Sequence, residues 1–141
     1  MKVKRFIQLS VYLENRVGAL EEICNIIEKK SINLLAVCAI DTVEEAVLRI
    51  VPEDHEKTRE ALKALSMHVV ETEVLAVELP NVPGATGKMA SILARAGINI
   101  DYIYASAHPE MSKTILILRT HRIDEAERSL MGGEQTVTNR K

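Results

Sequence analysis

The chain has 141 residues, 47% of them hydrophobic and 27% charged, with a formal net charge of −2. That apolar share excludes a disordered tail and fits one average domain or two small ones, so a packed, soluble protein is expected. Its 18 basic and 20 acidic residues are interspersed, which leaves no electrostatic footprint for nucleic acid or an anionic membrane. No apolar run approaches the ~20 residues of a membrane-spanning helix. The basic start, Met1 to Phe6, is followed by Gln8, Ser10 and Glu14 rather than by the apolar core of a signal peptide, and a cytoplasmic location is expected. Two cysteines, Cys24 and Cys38, fit a reducing compartment, and their spacing matches neither a redox pair nor a zinc site.

The first predicted element is a strand in "FIQLSVYL", where Ile7, Leu9, Val11 and Leu13 alternate with Gln8, Ser10 and Tyr12. A helix follows with Leu20, Ile23, Cys24 and Ile27 on one face, and Ser31 stands where that helix ends, before the apolar Ile32. Strands are predicted in "INLLAVCAI" and "AVLRIV", joined by a turn from Asp41 to Glu45. A second helix presents Thr58, Ala61, Leu62 and Leu65, and a closing strand, "HVVETEV", runs almost directly into another strand, "VLAVEL". The pattern then recurs. Thr86, Met89, Ala90 and Leu93 repeat the first helical stripe, and Gly97 repeats the stop at Ser31.

The recurrence is an internal repeat. Setting Asn15 on Asn81, an offset of 81 − 15 = 66, aligns "NRVGALEEICNIIEKKSINLLAVCA" with "NVPGATGKMASILARAGINIDYIYA" without a gap. After two extra residues near His108 to Met111, "AVLRIV" falls on "TILILR" and "HEKTREAL" on "IDEAERSL". Two units of about 70 residues follow, a size at which a lone core is marginal, with the boundary placed as 1–71 and 72–141. Each unit reads strand, helix, strand, strand, helix, strand. That order makes the fold class α+β: two ferredoxin-like βαββαβ units, antiparallel sheets with both helices on one face. The short, polar "MGGEQTVTNRK" stands where the last strand is expected, either frayed or completed by a partner. Nearly continuous apolar central strands call for a cover over the open sheet face or edge, and a homodimer or larger homo-oligomer is expected.

Function has to come from a site rather than from this fold. The central strands "AVLRIV" and "TILILR" carry no aromatic residue, which excludes base stacking of the RNA-recognition type. The loop "ENRVG" lacks the paired cysteines of a metal carrier, and His55, His68, His108 and His121 stand at no metal-ligand spacing. No base is assignable to Ser10, Ser31, Ser91 or Ser106, and Cys24, on the helical stripe, reads as a small buried hydrophobe. No catalytic residue, metal site or cofactor is therefore predicted, and the chain is not expected to be an enzyme.

The stretch "NVPGATGKMA" resembles a phosphate loop only superficially. Just Ala85 and Thr86 separate Gly84 from Gly87, and Met89 rather than a hydroxyl residue follows Lys88. In both copies Asn and Gly lie between the first strand and the first helix, so the helix's unpaired N–H groups and positive dipole end face whatever occupies the loop. A carboxylate suits that position. Gly18 and Gly84 leave the main chain approachable, and Asn15 and Asn81 offer an amide that both donates and accepts, which matches a free α-amino acid. The plainer alternative is that Asn caps the helix and Gly makes the turn. A second repeated residue, Asn33 matched by Asn99, opens a strand among apolar neighbours, where a polar side chain wants a partner.

"ENRVGAL" followed by "INLLAV", and "PNVPGATGK" followed by "INIDYIYA", resemble the ACT domain, and nearly the whole chain resembles the stand-alone tandem ACT proteins. The resemblance implies a non-catalytic sensor that binds a free amino acid at the interface between paired ACT domains. It places ligand contacts at Asn15, Val17, Gly18, Ala19, Leu20 and Asn33 in the first copy, and at Asn81, Pro83, Gly84, Ala85 and Asn99 in the second. Val17 stands where the family's loop has Pro, and Thr86 with Gly87 replaces the usual Leu and polar residue, so the two sites are unequal. Tyr102 and Tyr104 have no counterpart in Ala36 and Cys38 and read as packing or as the lining of one pocket. The alternative function is a regulatory subunit that docks on a separate amino-acid-metabolism enzyme without binding a ligand itself.

Overall fold

A computed structural model describes residues 1–41 and 45–138, with side chains described through 132. The elements in order are β1 (Lys2–Glu14), α1 (Ala19–Lys29), β2 (Leu34–Asp41), β3 (Glu45–Pro52), α2 (His55–Lys63), β4 (Val69–Pro80), α3 (Ala85–Arg95), β5 (Tyr102–Ser106), β6 (Lys113–Arg119) and α4 (Ile123–Thr138). The predicted turn from Asp41 to Glu45 falls largely on residues 42–44, outside the described residues. Among the described residues no helix is long and apolar enough to cross a membrane.

Two compact units make up the chain. One is Ile7–Thr72, and the other joins Met1–Phe6 to Glu73–Lys141. In the first unit the strand order is β2-β3-β1-β4, with β3 antiparallel to both β1 and β2. Leu9, Val11, Leu48 and Ile50 of this sheet bury against Ala19, Ile23 and Ile27 of α1 and Leu62 of α2. The order is the ferredoxin-like one, and both helices lie on the same face because the strands alternate their apolar residues toward it.

The second unit repeats the plan with order β1-β4-β6-β5. Its core joins Leu75, Val77, Leu79, Leu116 and Leu118 of the strands to Met89 and Leu93 of α3 and Ile123, Ala126 and Leu130 of α4. Its closing strand is not the tail of the chain. Residues 131–138 continue α4, and the edge is filled by the start of β1. Met1 and Val3 pack against the second core, while Arg5 binds Asp124 and Glu127 of α4 at 2.8 and 3.2 Å. The strand expected in 131–141 is thus corrected to a helix over 131–138, its place beside β4 being taken by the start of β1, and residues 139–141 lie outside the described residues. Residues 1–6, assigned by the repeat to the first domain, lie with the second unit.

The first three helices stop the same way. Ser31 (φ 54°), Ser66 (φ 58°) and Gly97 (φ 70°) adopt the left-handed conformation just past α1, α2 and α3. The next residue closes back on the last turn: Ile32 N–H donates to the Ile27 carbonyl, Met67 to Leu62, and Ile98 to Leu93. The helical stripes read from the sequence are corrected at four residues. The buried face of α1 is Ala19, Ile23 and Ile27, spaced by four, so Leu20 and Cys24 stand one position to the side and are exposed. Leu65, past the end of α2, and Thr86, in the first turn of α3, are likewise exposed, and α3 buries Met89 and Leu93.

Ser31→Gly is expected to stabilise the protein by about 0.5–1 kcal/mol, since an L-residue in this conformation is strained by ~1–2 kcal/mol and glycine returns part of that as unfolded-state entropy. Leu118→Ala, at a position with no exposure, is expected to cost about 2–5 kcal/mol. Chemical denaturation measures both.

Candidate functional site

Both predicted loops have one geometry. Gly18 (φ 87°) and Gly84 (φ 86°) are the residues that precede the first helical turn of α1 and α3, and neither helix has a side-chain cap. The glycine carbonyls accept the first helical bonds, from Glu22 N–H at 3.1 Å and Lys88 N–H at 2.9 Å. The Ala19 and Ala85 N–H groups donate to the Arg16 and Val82 carbonyls at 3.4 and 3.3 Å; the N–H groups of the intervening turn receive no side-chain cap, and they carry the positive end of the helix dipole. A Cβ built on Gly84 would meet nothing within 4 Å. The glycine is required by its backbone conformation, and the space over it is open.

Asn15 and Asn81 do not cap the helices. Asn81 Nδ2 donates to the carbonyls of His108 at 3.0 Å and Met111 at 2.8 Å, and its N–H donates to the Ser112 carbonyl at 2.9 Å. Asn15 Nδ2 donates to Asp41 Oδ1 at 3.0 Å. Each asparagine thus ties the helix-start loop to the end of the neighbouring hairpin. The two residues that the second copy has in excess, near His108 to Met111, form the turn that Asn81 holds. That alignment gap is the signal that points to this partner, and the amide's chemistry alone does not reveal it.

Asn33 and Asn99 lie elsewhere. They follow the C-terminal ends of α1 and α3, whereas Asn15 and Asn81 precede the N-terminal ends, so a helix of 11 residues separates each pair, about 16 Å at 1.5 Å per residue. Asn33 Nδ2 donates to Glu53 Oε1 at 3.2 Å and Asn99 Nδ2 to Asp101 Oδ1 at 3.3 Å, and both side chains are exposed. Their carbonyls accept from Glu53 N–H and Thr120 Oγ1. Within one unit, the loop set (Asn15, Val17, Gly18, Ala19, Leu20, or Asn81, Pro83, Gly84, Ala85) and the strand-start asparagine are not brought together. Ala19 is buried, Ala85 is half-buried, Pro83 is exposed, and Val17 is fully exposed at 100%.

The two loops differ in charge. Arg16 donates to Glu22 at 2.8 Å and lies 3.3 Å from Glu14, and Glu21 stands in the same first turn of α1. The hydrogen bond from Arg16 holds the Glu22 carboxyl below its usual value. The start of α3 has no acidic residue in its first turn and carries Lys88. No acidic residue of the first turn opposes an anion over α3, whereas over α1 Glu21 and Glu22 do so, offset in part by Arg16. Val82 and Met111, on either side of the Asn81 contacts, are apolar and exposed.

Other chemistry-bearing residues are occupied locally. His121 Nδ1 lies 2.6 Å from Asp101 Oδ2, and the His68 ring sits 5.6 Å from that of Tyr12. Tyr102 and Tyr104 are half-buried on β5, opposite Arg119 and Ile117. Among the described residues no group of three or more His, Cys, Asp or Glu side chains is arranged to hold a metal ion.

The model of the ACT domain pair matches residues 4–138. The chain belongs to the ACT domain pair family. This ACT pair is similar to protein BT0572 from Bacteroides thetaiotaomicron, with 31% identity and a TM-score of 0.87 over 94% of this chain and 90% of that one. It shares the fold of the regulatory subunit of aspartate kinase from Thermus thermophilus in its ligand-free form, at 15% identity and a TM-score of 0.67, over 94% and 96% of the two chains. It also shares the fold of a part of E. coli aspartokinase III, solved with aspartate and ADP, at 18% identity and a TM-score of 0.58, over 91% of this chain and 31% of that one. No curated protein matches the sequence.

Asn81→Ala removes two side-chain bonds to backbone carbonyls, and a loss of about 1–2 kcal/mol is expected, with faster amide exchange confined to the Ser106 to Lys113 connection. Gly84→Ala is expected to cost about 1 kcal/mol through backbone strain alone. Folding titrations and hydrogen exchange measure these.

Proposed function

We propose that this ACT pair is a non-catalytic regulatory protein that binds a free amino acid where ACT units pair. The observation that carries the reading is the duplicated helix start: in each unit a left-handed glycine opens the helix with no side-chain hydrogen bond to its first N–H groups. A carboxylate satisfies those donors without desolvating a compensating charge. The separation of Asn15 from Asn33, and of Asn81 from Asn99, by the length of a helix supports a ligand shared by two units, one giving the loop and the other the asparagine. Such a site couples occupancy to unit pairing by as much as the ligand prefers one arrangement over another. Gly84, Pro83 and Ala85 with Asn81 form the better anion site of the two, given the first-turn charges. The other partners we propose are a second copy of the chain and, downstream, an enzyme of amino-acid metabolism. Family membership and the fold shared with kinase regulatory subunits support the regulatory character.

A thermal-shift screen against the twenty amino acids, each at millimolar concentration, tests this. A ligand present at 100 times its dissociation constant adds about 2.7 kcal/mol, and a shift of several degrees with one amino acid or a related few is expected. Gly18→Val with Gly84→Val is expected to abolish that shift while the circular dichroism spectrum stays native. No shift with any amino acid would favour the alternative, a subunit that docks on a separate enzyme without a ligand, and stoichiometric recovery of such an enzyme would support it.

A further inference from the structure

The closing strands of the two units carry one pattern. Met1, Val3 and Arg5 fall on Met67, Val69 and Glu71 at the same offset of 66 residues, 67 − 1 = 66. Met1 and Val3 pack on the core of the second unit, and Met67 and Val69 pack on that of the first. At the third position the charge is reversed, and so is the charge on the helix that meets it. Glu71 accepts from Arg59 Nη1 of α2 at 2.8 Å, whereas Arg5 donates to Glu127 Oε2 and Asp124 Oδ1 of α4 at 3.2 and 2.8 Å. Arg59 and Glu127 are equivalent positions, since 127 − 59 = 68 is the offset past the two extra residues. Glu73 of β4 adds a third carboxylate, 3.8 Å from Arg5 Nη1.

We propose that the groove beside β4 in the second unit is a strand-acceptor site, selective for an extended segment with apolar residues at alternate positions followed by a basic one. Its occupant is the chain's own Met1–Phe6. The reversed charge pair sorts the closing strands. A strand bearing Glu71 in the groove of α4 would meet Asp124, Glu127 and Glu73 with a fourth carboxylate. A strand bearing Arg5 in the groove of α2 would set its guanidinium against that of Arg59. Main-chain pairing, which every strand offers, supplies the affinity, and the charge decides which strand goes where, within one chain or between two copies. The pairs are partly exposed, so the discrimination is modest in size and sensitive to salt.

Hydrogen exchange of the full-length chain tests this with Arg5→Glu and with the triple variant Arg5→Glu, Asp124→Lys, Glu127→Lys. Arg5→Glu is expected to speed exchange of the amides in Lys2–Phe6 by about fivefold at low salt, with those of β3 unchanged. The increase is expected to shrink in about 1 M salt, where the screening length is ~3 Å. The triple variant is expected to return to wild-type exchange. Should Arg5→Glu fail to fold, a folded triple variant still supports the proposal, and failure of both overturns it. Unchanged exchange in Arg5→Glu, or a triple variant as fast as the single one, also overturns it.

Discussion

The second unit depends on a strand that it does not contain in sequence order. Each long strand closes one unit with its first part and opens the other with its second: β1 divides between Phe6 and Ile7, and β4 between Thr72 and Glu73. A unit of about 70 residues has little core to spare, and the second one gains Met1 and Val3 only because the N-terminal strand reaches it. Without that segment β4 would be an unpaired edge, and the acidic group on α4 would lose its guanidinium. With that edge occupied, residues 131–138 extend α4.

The same two strands lead into the candidate loops. β1 ends at Glu14, one residue before Asn15, and β4 ends at Pro80, one residue before Asn81. Each loop is anchored on its other side by the asparagine that reaches the neighbouring hairpin. What remains open is the helix start itself, with its glycine, its uncapped N–H groups and exposed apolar residues nearby. A helix start whose N–H groups receive no side-chain cap suits a small ligand with a carboxylate. The loops differ in charge and in space: Glu21 and Glu22 stand in the first turn of α1 with Arg16 paired to Glu22, whereas the first turn of α3 has no acidic residue, and a Cβ on Gly18 would meet Arg16 Nη1 at 4.0 Å while one on Gly84 would meet nothing within 4 Å.

Much of this was legible in the sequence because the repeat doubled every signal. The helix stops at Ser31 and Gly97, the strand alternation in β1 and the glycines at the loop all rest on local backbone preferences. Three features were not legible for physical reasons. Met1 and Val3 match Met67 and Val69, yet pairing between segments so far apart in the chain leaves no local periodicity to read. Leu20 and Cys24 look inward on a helical wheel, but α1 buries a face one residue over, so its contact with the sheet rather than its own pattern decides. Asn15 and Asn81 have the chemistry of helix caps; their use as ties to a hairpin follows from where β2, β5 and β6 bring Asp41, His108 and Met111.

The most direct measurement is hydrogen exchange of the intact protein with and without each amino acid at millimolar concentration, read residue by residue. The account predicts that one amino acid, or a related few, protects the amides around Ala85 to Lys88 at the start of α3, together with those near Asn33 or Asn99, and leaves the strand cores unchanged. Protection by no amino acid, or protection that spares both the helix start and the asparagines, would contradict it.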